Sequence, residues 1–94
     1  IVFASKAEMK RWLDLRNLER AGVIKGLQRQ VSFTLSHNGV LLCKYVADFV
    51  YTENGKPVVE DVKGFVPPIF KLKAKLMKAF HGIEIRITGG KVKP

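Results

Sequence analysis

Apolar and polar residues change period several times along the chain, and each change marks an element boundary. From Ser5 to Ala21 the apolar residues Met9, Trp12, Leu13, Leu15 and Leu18 recur at helical spacing. Ser5 followed by Glu8 has the form of a capping box at the start of that helix, and Gly22 stops it. Ile24 to Leu35 then reads as a strand, β-branched and aromatic towards its end. Asn38-Gly39 is a tight hairpin turn into a second strand over Val40 to Tyr51, and Asn54-Gly55 repeats the turn before a third strand over Pro57 to Phe65. Pro67-Pro68 breaks the sheet and suits a helix start, after which Ile69, Leu72, Leu76, Ala79 and Phe80 recur at helical spacing up to His81-Gly82. Ile83, Ile85 and Ile87 alternate with Glu84, Arg86 and Thr88 as a plain strand, leaving residues 89–94 as a flexible basic tail. The pattern predicts one α/β domain over residues 1–94, with the order αβββαβ and a mixed sheet.

Composition agrees with a single folded domain: 94 residues, 47% hydrophobic and 10% aromatic. Charge adds more, because 17 Lys and Arg against 8 Asp and Glu leave a net charge of +9, which favours an anionic partner and nucleic acid first. A ribosomal-type basic protein or a merely solubilising surface is the plainer alternative. No apolar run approaches the roughly 20 residues of a membrane-spanning helix, so a membrane is not among the expected partners. Cys43 is the only cysteine, which rules out an internal disulfide, suggests a reducing cytoplasmic setting, and reads as a packed strand residue. The chain carries no signal-peptide pattern and begins at Ile1 instead of methionine, so the natural chain is expected to extend further at that end.

The candidate chemistry lies on the second and third strands. Strand alternation projects Asp61 and Lys63 from one face, with Glu60 and Val62 on the other. Asp48 sits among Tyr45, Val46, Ala47, Phe49 and Val50, an apolar setting in which an unpaired carboxylate is costly to bury. A hairpin can bring Asp48 near Asp61, and two close carboxylates repel unless a cation or a proton lies between them. A hard divalent cation such as Mg²⁺ would meet that need and would support phosphodiester hydrolysis, with Lys63 stabilising the phosphorane or orienting water. A cross-strand ion pair of Lys63 with Asp48 or Asp61 is the simpler alternative. Glu8 shares the side of the first helix that carries Trp12 and Leu15, which would aim it at the sheet, although the capping box alone accounts for its position.

Phe3-Ala4-Ser5-Lys6-Ala7-Glu8, then Ala47-Asp48-Phe49, then Glu60-Asp61-Val62-Lys63-Gly64 resemble the PD-(D/E)xK nuclease superfamily over nearly the whole chain. The layout is similar to that of small phage-borne members and of the phage endonuclease that resolves Holliday junctions. The resemblance implies a restriction-endonuclease-like αβββαβ core with a mixed four-stranded sheet flanked by two helices. It implies Glu8, Asp48 and Asp61 as metal ligands with the Val62 carbonyl, and Lys63 as the catalytic lysine. It also implies Mg²⁺, with Mn²⁺ able to substitute, DNA as the partner, and the cytoplasm of a phage-infected or prophage-bearing bacterium as the setting. Ala47 stands where the motif's name has Pro, and of the neighbouring acids Glu60 and Asp61 only Asp61 has the spacing to Lys63.

Gln30 resembles a glutamine that supports the site in related nucleases, a solvent-facing strand residue being the alternative. Lys71, Lys75 and Lys78 fall on one stripe of the second helix, with Lys73 on another side, and suit phosphate tracking or simply a solvated face. His37 and His81 read as turn and helix-end residues. Two functions compete: a metal-dependent DNA endonuclease, with branched DNA in phage recombination or replication as one substrate class open to it, and a noncatalytic nucleic-acid-binding module on a decayed nuclease fold. A protein-binding role would leave the acids unexplained. Junction resolution needs two active sites and therefore a homodimer.

Overall fold

The chain runs α1 (Lys6–Arg20), β1 (Ile24–His37), β2 (Val40–Glu53), β3 (Lys56–Val62), α2 (Pro68–His81) and β4 (Ile85–Thr88). The computed structural model describes residues 2–89, so the expected basic tail beyond Gly89 lies outside the described residues. At the start of α1 the Ser5 hydroxyl accepts from the Glu8 amide at 3.1 Å, satisfying one of the free donors of the first turn. Asn38-Gly39 and Asn54-Gly55 all have positive φ, from 50° to 77°, the left-handed pair that lets a two-residue turn follow the twist of its strands. Both hairpins are therefore set by local chemistry.

The strands form one sheet in the order β1-β2-β3-β4, antiparallel except for the parallel β3–β4 pair, which α2 connects. The sheet is thus mixed and four-stranded, as the sequence pattern predicts. Each helix covers its own core. Leu15 of α1 packs with Ile24, Phe49 and Tyr51, and Phe70 and Met77 of α2 pack with Leu35, Tyr45, Ala47 and Val59.

These two clusters reveal a break in strand alternation. Tyr45, Ala47, Phe49 and Tyr51 all have odd numbers, so a regular β2 would project them from one face, yet the first two serve the α2 core and the last two the α1 core. On β1, Phe33 and Leu35 join the α2 core while Leu27 joins the α1 core. The switch falls between Ala47 and Phe49 on β2 and opposite Gln30 on β1. Gln30 has a φ of 53°, and it and Asp48 drop out of a ladder that keeps Val31↔Ala47 and Arg29↔Phe49 on either side. The hairpin changes faces at Gln30 and Asp48.

Several expected boundaries and faces are corrected. The third strand ends at Val62, although the Lys63 amide still donates to the Thr88 carbonyl at 2.9 Å, and the last strand begins at Ile85, not Ile83. Met9 and Leu13 of α1 are exposed, as are Ile69, Leu72 and Phe80 of α2, whose buried residues are Phe70 and Met77. The helical spacing is real, but the sheet contacts a neighbouring stripe. Among the described residues no helix is long and apolar enough to cross a membrane.

Candidate active site

The face switch places Asp48 at the end of β3. Its Oδ2 accepts from the Val62 amide at 2.9 Å, while its Oδ1 accepts from Gln30 Nε2 at 3.4 Å. The same Gln30 nitrogen donates to Glu8 Oε2 at 3.2 Å. One amide therefore joins a helix carboxylate to a strand carboxylate, its partners 22 and 18 positions away in the chain. Gln30 can do this because its left-handed backbone takes it out of the ladder between β1 and β2.

Glu8 is only 4% exposed, so it does more than cap its helix. Ser5 makes its half of the capping box, whereas the Glu8 carboxylate points inward to Gln30 and lies 3.7 Å from Arg29 Nη2. Arg29 is held in turn by the Val2 carbonyl at 3.1 Å and by the Phe3 ring, 4.3 Å from the guanidinium carbon to the ring centre.

Asp61 is 1% exposed. Its Oδ1 lies 3.7 Å from Lys63 Nζ, and its Oδ2 accepts from the Tyr45 hydroxyl. Lys63 therefore does pair with Asp61, along the same stretch of chain and not across strands, and it also lies 4.8 Å above the Phe70 ring centre. Burial pushes the Asp61 carboxyl up from 3.8 to about 6; Lys63 and the Asp48 backbone pull it down, and the charge on Glu8 adds to the rise.

A carboxylate raised in this way has a definite effect on stability. The protonated form suits the fold, so Asp61's contribution is full below its unfolded value of 3.8 and is lost as pH rises through about 6. At 1.36 kcal/mol per unit the loss is ~3 kcal/mol. Thermal denaturation in EDTA should show the melting temperature falling between pH 4 and 7, and Asp61→Asn should remove most of that slope. A wild-type slope that survives the substitution would assign the pH dependence to another group.

Glu60 shows what sequence reasoning missed. It points to the opposite face from Asp61, as strand alternation requires, but it is fully buried there. Arg11 Nε and Nη2 donate to its two oxygens at 2.6 and 3.1 Å, Tyr51 donates at 2.6 Å and Thr88 at 2.7 Å. Burial alone would raise the Glu60 pKa, but the bonds from Arg11, Tyr51 and Thr88 outweigh it and hold the carboxyl below 4.5. This network ties α1 to β2, β3 and β4. The available signal was Arg11, one turn beyond Glu8 on the inward side of α1. Tyr45 was also missed, although a buried tyrosine hydroxyl normally requires a partner.

The other sequence candidates lie apart from this centre. Lys71, Lys75 and Lys78 are exposed on α2, and Lys78 reaches Glu84 at 3.5 Å. His81 Nε2 bonds the Thr34 carbonyl at 3.0 Å at the helix end, His37 lies at the end of β1, and Cys43 is a free, half-buried strand residue. Among the described residues no three His, Cys, Asp or Glu side chains gather into a set that could hold a metal ion; Gln30 lies between Glu8 and Asp48 instead.

No curated protein matches the chain. A family model does match it across residues 1–89, and the chain belongs to that family, described as "Protein of unknown function (DUF1064)".

Proposed function

We propose that this protein is a divalent-metal-dependent endonuclease that hydrolyses DNA phosphodiester bonds, with branched DNA such as a Holliday junction as its substrate. The observation that carries the reading is the single Gln30 nitrogen shared by Glu8 and Asp48, which draws carboxylates from a helix and a strand together beside the Asp61–Lys63 strand end. The buried Glu8 and Asp61 and the half-buried Asp48, drawn from separate parts of a chain with a net charge of +9, suit a role that needs negative charge in one region.

The donors fit a hard cation in type, since carboxylate oxygens are what Mg²⁺ or Mn²⁺ prefers, and burying the ionised Asp61 is unfavourable without a compensating charge. Glu8, Asp48 and Asp61, with the Val62 carbonyl, would hold the ion, and Gln30 would yield its place between the first two. The bound ion supplies a polarised phosphate and an activated water. Lys63 supplies a fixed positive charge at the same point, to stabilise the phosphorane or orient the water. Lys71, Lys75 and Lys78 track neighbouring phosphates. Cutting both strands of a junction requires two such sites and hence a homodimer, and the cytoplasm of a phage-infected or prophage-bearing bacterium belongs to the same reading.

Incubation with supercoiled, linear, single-stranded and four-way-junction DNA tests the proposal directly. Cleavage is expected with Mg²⁺ or Mn²⁺ and not with EDTA, the junction being cut fastest. DNA binding with no cleavage of any form would replace the enzyme by a noncatalytic binding module on the same fold.

A further inference from the structure

A cleft of about 260 Å³ opens beside the first turn of α2, between Lys44 and Tyr45 of β2, Lys63 after β3, and Pro67, Phe70 and Lys73. Three lysines contribute to its lining, from three separate segments, Lys44 on the stretch of β2 edge that β3 leaves unpaired. Lys63 is paired with Asp61, but among the described residues neither Lys44 nor Lys73 pairs with a carboxylate. Nor is compensation nearby in sequence, because the stretch from Val62 to Ile83 contains no acidic residue. The first turn of α2 also lacks an acid and a side-chain cap, so its backbone adds to the positive potential. Like charges lining one small cleft repel, and an anion between them relieves the repulsion.

The cleft adjoins the acidic centre. Tyr45 and Lys63, both in its wall, each contact Asp61. We propose that it is a backbone-phosphate subsite for DNA, in which Lys44 and Lys73 hold the phosphate next to the one that reaches Lys63. The choice of DNA as the anion rests on the nuclease reading; the convergence of unpaired lysines does not.

The test compares wild type, Lys44→Ala/Lys73→Ala, and the charge-matched Lys25→Ala/Lys56→Ala, whose lysines lie at the far end of the sheet. Binding to labelled junction and duplex DNA is followed by fluorescence anisotropy in EDTA between 50 and 200 mM salt, with thermal melts confirming that each variant folds. Losing one phosphate contact should reduce the slope of log affinity against log salt by about 0.9 and weaken binding about tenfold at the low-salt end. The charge-matched variant should keep the wild-type slope, and Lys44→Arg/Lys73→Arg should restore it. Equal slopes for the two alanine variants, or no DNA binding by wild type, would overturn the subsite. Cleavage by wild type in Mg²⁺ decides the nuclease reading separately: an enzyme that cuts but shows equal slopes has lost only the subsite, and a protein that never cuts but loses slope in the cleft variant has kept it.

Discussion

Asp61→Asn is expected to abolish DNA cleavage, by at least about a thousandfold, while leaving metal-free DNA binding unchanged or tighter and making the metal-free protein more stable at neutral pH. The three effects share one cause. Ionised Asp61 is buried where only Lys63, the Tyr45 hydroxyl and the Asp48 backbone offset its charge, so the fold favours the neutral form and Asn imitates it. The same charge is what a hard cation would require, and its loss would take one ligand from the proposed set that activates water. It also removes a repulsion towards the phosphate backbone, hence the retained or tighter binding. Asp48→Asn should behave likewise in cleavage. Lys63→Ala should also stop hydrolysis but spare metal binding, because an ammonium is not a ligand. Cleavage assays, anisotropy in EDTA and thermal melts at pH 7 read the three effects independently. If wild type and Asp61→Asn bind DNA alike and neither cuts in Mg²⁺ or Mn²⁺, the binding-module reading takes over.

Arg11→Ala should be the most destabilising single change on the other face of the sheet. Its guanidinium makes two bonds to Glu60, a fully buried carboxylate, and removing it leaves that charge with only neutral donors, Tyr51 and Thr88. Breaking a buried pair from one side costs about 3–5 kcal/mol, which for a domain of this size lowers the melting temperature by well over 10 °C. Adding Glu60→Gln to Arg11→Ala should recover part of the loss, since it removes the stranded charge. The pair also matters for the candidate site. Arg11 lies one helical turn beyond Glu8, so the same contact fixes the rotation of α1 that turns Glu8 inward. A change of less than about 1 kcal/mol in chemical denaturation, within the range of an exposed pair, would show that Glu60 does not anchor the helix.

Much of this architecture is local and was legible in the residues. Ser5 before Glu8, the two Asn-Gly turns and Pro67-Pro68 before α2 act within a few residues of themselves, so element order and both hairpins could be read directly. The spacing of Asp61 and Lys63 likewise placed them on one face, because strand alternation needs no tertiary information. Faces were harder. Ile69, Leu72 and Phe80 have the right period for a core stripe, but periodicity gives a stripe and not the surface it meets, and the sheet meets Phe70 and Met77 instead. Only the folded chain shows that alternation breaks at Gln30 and Asp48, where the left-handed backbone of Gln30 lets successive parts of one hairpin serve cores on opposite faces. Only the fold, again, decided that Glu60 would be buried, since its partner Arg11 is 49 residues away and a carboxylate's burial depends on which donors arrive around it.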